Sequence, residues 1–264
     1  MNNQPVAKPI SLKGAVMLLG SLYWEGNDAA QDGDKGARRK QWRDTVLDMN
    51  TCRDLPGIPI RYGRLSASRN GEFTIVFGGK PDGVAKIADL QSSLPVENHA
   101  LAGAAAETLK QQVEALAKAE GIWSEKNKRH YTSWGLVAIA INPNSEFQEH
   151  LRKVWMAHFQ VALKPSEYGE GVLDASGILQ FLLGDDVWRG LDYCLATPTK
   201  PSCPVPSAKQ IGEAVKLGSY FRRTYESGIK TPDDAEIRKY LAETLDSGAV
   251  SLRATRAAKP LARS

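Results

Sequence analysis

At 264 residues, 42% hydrophobic and 24% charged, the chain is long enough to bury a substantial core and too apolar to be globally disordered. Its formal net charge of +4 is matched by Arg253, Arg256, Lys259 and Arg263 at the end of the chain, which leaves the body near neutral and argues against nucleic acid as the main partner. Cys52, Cys194 and Cys203 are odd in number, widely spaced and without a C-x-x-C pair, a pattern that fits reduced thiols, a packing role and a cytoplasmic location.

Residues 1–13 are polar and Pro-containing, unlike a leader, and the longest apolar runs fall far short of a membrane span. The first strong element is Gly14 to Gly26. Ala15 to Leu19 is an apolar run between glycines, which reads as a central strand, and Gly20-Ser21 with Tyr23-Trp24 reads as a candidate ligand loop. Gly20 permits close backbone approach, while Ser21 and the neighbouring amides can donate to an anionic or carbonyl group.

Asn27 to Gly36 reads as a flexible loop. Ala37 to Asp48 reads as a short helix with Trp42 and Val46 toward a sheet and Arg38, Arg39, Lys40 and Arg43 near the loop. Pro56 to Pro59 turns the chain into a hairpin, Ile60 to Arg69 and Glu72 to Phe77, joined by Asn70-Gly71. Arg61, Arg64 and Arg69 in its first arm form the best anion contact, and Gly63 is the natural place for a bulge. Gly78 to Gly83 is a turn lacking the spacing of a phosphate loop.

Val84 to Ala88 predicts a strand, Val96 to Glu120 a helix stopped by Gly121, and Trp134 to Ile141 a buried strand. Phe147 to Leu163 predicts a helix whose His150 and His158 lack metal-ligand spacing, so no metal is expected. Gly177 to Leu183 is a short apolar element, and Leu191 to Pro206 an ordered loop. Ser207 to Gln210 has capping-box form and opens a helix through Tyr225. Thr231-Pro232-Asp233-Asp234 opens another, to about Asp246, stopped by Gly248.

The strand, Gly-Ser loop, helix, hairpin, strand and Glu-bearing helix over residues 14 to 141 resemble the gamma-glutamylcyclotransferase-like superfamily. That family carries a Y-G-S-[NL] loop after its first strand. The corresponding residues here are Leu19-Gly20-Ser21-Leu22, with Leu in place of Tyr, and Tyr23-Trp24 are similar to the G-S-L-x-W form of one branch. The resemblance implies that Gly20, Ser21, Leu22 and Tyr23 hold the substrate. It also implies that a glutamate assists intramolecular attack of the substrate amine on its own side-chain carbonyl, releasing 5-oxoproline without a cofactor. Glu120, which precedes Gly121, is the first choice for that acid and Glu114 the second.

The expected architecture is α+β, a small mixed sheet or barrel of about five to six strands with flanking helices. Residues 1–145 form the core, 146–250 a helical extension packed on it and 251–264 a basic flexible tail. Two rival readings use the same residues: a non-catalytic module holding an anionic small molecule or partner protein through Arg61, Arg64 and Arg69, and a nucleic-acid-associated protein using Arg38 to Arg43 and the tail.

Overall fold

The computed structural model describes residues 10–69, 71–97, 100–101, 103–159, 161, 164–215 and 219–244. In chain order the strands are β1 (Ser11–Leu12), β2 (Gly14–Leu18), β3 (Leu47–Ile58), β4 (Ile60–Ser66), β5 (Glu72–Phe77), β6 (Gly83–Leu90), β7 (Leu94–Glu97), β8 (Ala100–Leu101), β9 (Ala138–Ile141) and β10 (Tyr193–Ala196). The helices are α1 (Ser21–Trp24), α2 (Ala29–Val46), α3 (Gly103–Glu120), α4 (Gln148–Phe159), α5 (Ala208–Val215), α6 (Tyr220–Glu226) and α7 over 234–244.

A five-stranded mixed sheet in the order β3-β6-β2-β10-β9 forms the centre, with a three-stranded sheet β1-β7-β8 and the hairpin β4-β5 beside it. The architecture is α+β, and the central sheet is open rather than closed into a barrel. β2 and β10 run parallel, with Cys194 opposite Ala15, while the other pairings of the central sheet are antiparallel.

The period-2 alternation of strand side chains divides the core between the two faces. On one face, Ala15, Met17, Ala85, Ile87, Cys194 and Ala196 pack against Tyr62 and Phe77 of the hairpin and against Ile211, Phe221 and Ile237 of the C-terminal helices. On the other, Val16, Leu18, Tyr193 and Leu195 meet Leu109, Val113 and Leu116 of α3, Trp155 of α4 and Trp42 of α2. Trp155 and Leu109 are fully buried. Truncating such a side chain to Ala typically costs about 2–5 kcal/mol.

Local signals set several elements as expected. β4 and β5 pair with a register shift between Tyr62 and Arg64, which places the bulge at Gly63. The α3 helix ends at Gly121, where φ is 77°, and the Gly121 and Ile122 amides close back onto Lys118 and Ala117. Ser207 Oγ accepts from Gln210 N at 3.3 Å while Ser207 N donates to Gln210 Oε1 at 2.9 Å, a reciprocal cap.

Other expectations are corrected. Helix α2 is two helical segments joined at a kink at Gly33 (φ 56°, ψ −161°), and the first starts at Ala29, inside the stretch read as a loop, where Asp32 Oδ2 accepts from Gly26 N at 2.7 Å and ties the turn down. Val96 lies in β7, not in a helix, and α3 begins at Gly103. β3 takes in Leu47 and Asp48, read as the end of a helix, and Pro56 to Ile58, read as a turn, and β10 occupies residues read as a loop. Only Ala138–Ile141 of the stretch from Trp134 is strand, while the short apolar element Gly177 to Leu183 makes isolated bridges at Ile178 and Leu179. The helix from Ala208 is described as far as Val215, and α6 is a separate helix that begins after the non-helical N-cap Ser219. Since β10 lies between β2 and β9, the central sheet needs a strand from beyond residue 145. Asn70, residues 160, 162–163 and 216–218, the expected end of α7 at Asp246 and Gly248, and the tail 251–264 lie outside the described residues.

Candidate active site

The parallel strands β2 and β10 end side by side, and their carboxyl ends open onto a cavity of about 430 Å³. Openings at the carboxyl ends of parallel strands are where α/β sheets commonly bind ligands. Leu19 and Ser21 enter from the end of β2, and Thr197 and Thr199 from the end of β10. Arg64 and Ser66 come from β4, Thr74 to Phe77 from β5, and Glu120 and Gly121 from the end of α3. Lys35 and Arg39 of α2, Arg69, Trp134 and Tyr220 complete the named walls.

Gly20 makes the sharp exit from β2 with φ 46° and ψ −127°. A Cβ there would lie 1.9 Å from Tyr220 Oη, so both backbone and space demand glycine. Tyr220 is nearly fully buried, and its Oη accepts from Ile75 N at 3.3 Å. The amides of Leu22 and Tyr23 are occupied by the carbonyls of Leu19 and Gly20. Those of Gly20 and Ser21 have no hydrogen-bond acceptor among the described residues.

Arg39 is the hub of the site. Its guanidinium is 3% exposed and donates from Nη1 to Ser21 Oγ at 2.6 Å and to Glu25 Oε2, from Nη2 to Glu120 Oε2 at 2.5 Å, and from Nε to Ala119 O at 3.2 Å. The last bond satisfies a carbonyl at the negative end of α3. Burial opposes the Arg39 charge, but Glu120 and Glu25 outweigh it and raise its pKa. Glu25 also receives Arg69 Nη2 at 2.7 Å, and the Arg69 guanidinium lies 5.3 Å from the Trp24 ring and 5.1 Å from Tyr220. Burial, with Arg39 adding to it, holds the Lys35 ammonium below the usual lysine range. Lys35, Arg39, Arg64 and Arg69 against Glu120 make the named wall cationic, a setting for a small anion.

Ser21, Arg64, Arg69 and Glu120 therefore share one cavity. The other sequence candidates lie elsewhere. Leu22 is fully buried in the core under α3, because its side chain continues the apolar face of β2. Tyr23 lies beneath Lys86, 5.7 Å from its Nζ. Glu114 faces solvent, paired at i,i+4 with Lys118. Arg61 lines a different cleft, because the Gly63 bulge changes the register between it and Arg64. Arg69 lies in a 3₁₀ turn after β4 and not in the hairpin arm expected to run to it.

No family model, curated protein or solved structure matches this chain.

Tyr220 and Lys35 belong to the site although sequence reasoning did not select them, and Arg39 was named there only within the Arg38 to Arg43 basic cluster. Of the basic cluster near the loop, Arg39 and Arg43 are buried, while Arg38 and Lys40 are exposed. Arg43 is structural: it donates to Leu22 O and Glu25 O, both at 2.7 Å, and so ties α1 to α2. Spacing offered a faint signal, since Arg39 and Arg43 are four apart and share one helix face. Among the described residues no group of His, Cys, Asp or Glu could hold a metal ion, and no helix is long and apolar enough to cross a membrane.

Proposed function

We propose that the cavity is the active site of a cyclotransferase-like enzyme acting on a gamma-glutamyl or related amide, in keeping with the sequence resemblance. The observation that carries this reading is the Arg39 bridge, which brings Ser21 of the β2 loop and Glu120 of α3 to one wall. A gamma-glutamyl amide offers an α-carboxylate to Arg69 and Lys35 and an α-ammonium to Glu120. Glu120 takes a proton from that ammonium, and the freed nitrogen lone pair attacks the substrate's own side-chain carbonyl carbon. The charge that develops on the carbonyl oxygen is met by the Ser21 hydroxyl, whose oxygen is already held by Arg39, and by the Ser21 amide. Collapse breaks the bond to the leaving amine. Its nitrogen receives the proton from Glu120, the ring nitrogen passes its surplus proton through Glu120 to the departing amine, which leaves as ammonium, and 5-oxoproline departs with Glu120 again a carboxylate.

Purified protein incubated with gamma-glutamyl amines and followed for 5-oxoproline by mass spectrometry tests this reading. Turnover that falls in Glu120→Gln supports it, and no turnover refutes it. A second reading, a non-catalytic receptor for a small anion, is favoured by the ion pair that already engages Glu120 and by the cationic wall. It predicts binding of glutarate without turnover. Free Cys52, Cys194 and Cys203 accord with a cytoplasmic location for either activity. Nucleic-acid binding through residues 251–264 would show as salt-sensitive affinity lost on deleting them.

A further inference from the structure

We propose that a second cleft, between the β4–β5 hairpin and the start of α7, binds the head group of a free α-amino acid with an apolar side chain. The cleft has a volume of about 620 Å³ and shares no lining residue with the cavity around Glu120, so the proposal does not rest on the cyclotransferase reading. Arg61 and Asp233 face it together. Arg61 Nη1 and Asp233 Oδ2 are both buried, and neither has a hydrogen-bond partner. Native proteins rarely leave such atoms dry and unpaired unless water, an ion or a ligand completes them.

The Arg61 side chain rests on bare backbone. A Cβ would lie 3.2 Å from Arg61 Nε if placed on Gly78, 3.6 Å from its Cδ on Gly79 and 3.3 Å from its Nη1 on Gly63. Gly78 and Gly79 have φ of 137° and 88°, which other residues rarely adopt. The Gly-Gly turn that lacks phosphate-loop spacing thus admits an arginine whose donors remain open. Burial pushes the Asp233 carboxyl up, and the Arg61 charge draws it partly back. The two groups feel each other without a hydrogen bond between them, which leaves room for a bridging molecule.

Charge selects the occupant. A simple anion would satisfy Arg61 and Lys80 but meet Asp82, Glu170 and Asp233, whereas a simple cation would meet Arg61 and Lys80. A zwitterion satisfies both: its carboxylate accepts from Arg61 and its ammonium donates to Asp233. Ile60, Val205 and Pro232 supply an apolar wall, and Val205 is 61% exposed, so an apolar side chain on the ligand would cover it.

Isothermal titration with L-leucine, L-valine, L-methionine and L-phenylalanine tests the proposal, with 4-methylpentanoate and isopentylamine as leucine lacking one charge or the other. At least one amino acid should bind, with affinity falling about tenfold or more in Arg61→Met and in Asp233→Asn, and for both single-charge analogues. Asp233→Asn keeps the side-chain shape and decides the matter if Arg61→Met does not fold. The proposal is overturned if none of the four amino acids binds, if either analogue binds as tightly as leucine, or if Asp233→Asn retains full affinity. Turnover of gamma-glutamyl amines is expected to be unchanged in Asp233→Asn.

Discussion

Arg39 Nη2 stands 2.5 Å from Glu120 Oε2, across 81 residues of sequence. The same guanidinium serves Glu25, and the two carboxylates are 13% and 8% exposed. Removing the guanidinium strands both. Arg39→Met is expected to lower stability by about 3–5 kcal/mol, read from urea denaturation. Arg39→Lys should recover only part of the loss, since one ammonium cannot reach Ser21, Glu25, Glu120 and the Ala119 carbonyl together.

Gly20 and Tyr220 are a second coupled pair. Gly20→Ala places a Cβ 1.9 Å from Tyr220 Oη at a φ of 46°, and an expected loss of about 1–3 kcal/mol follows. Adding Tyr220→Phe removes the closest atom but leaves Cζ at 2.8 Å and deprives the Ile75 amide of its acceptor. The double variant should therefore recover at most part of the melting temperature, as thermal unfolding will show.

His130 gives stability a pH dependence. It is buried edge-on to Trp155 and Phe159, its Nε2 has no partner, and desolvation pushes its pKa down to about 4. The folded pKa lies below the unfolded value, so the unfolded chain binds the extra proton. This contribution is complete above pH 6.5 and is lost as pH falls toward about 4, by about 3 kcal/mol over the window. Urea midpoints measured across that range should drop with pH in the wild type and drop less in His130→Phe.

The thiols should differ in reactivity. Cys194 is fully buried in β10, and burial pushes its pKa up to about 12, whereas Cys52 and Cys203 are half-buried. Titration with a disulfide reagent should leave Cys194 unmodified in the native protein, identified by peptide mapping, and all three thiols should react in denaturant.

Features encoded within a few residues were legible in the sequence: the β2 run, the pairing of β4 with β5 and its Gly63 bulge, the Gly121 stop and the Ser207 cap. Features set by distant partners were not. β10 is a short Tyr-Cys-Leu-Ala segment that becomes central through pairing with β2 and β9, and β3 is a long strand whose half-exposed residues alternate weakly and include Pro56-Gly57. Arg39 reads as one more charge on a basic face until Glu120 arrives from α3. Ser21, Arg64 and Arg69 were selected from local pattern and Glu120 from the family resemblance, and their common cavity follows from the topology.

Production of 5-oxoproline by the wild type and by Glu120→Gln, each supplied with gamma-glutamyl amines and followed by mass spectrometry, tests the central claim most directly. Glutamine at 120 can still accept from Arg39, so the fold is expected to persist while the proton acceptor is lost. The account predicts turnover by the wild type and a fall of about 100-fold or more in the variant. A wild type that forms no 5-oxoproline, or a variant that forms it at the wild-type rate, would contradict it.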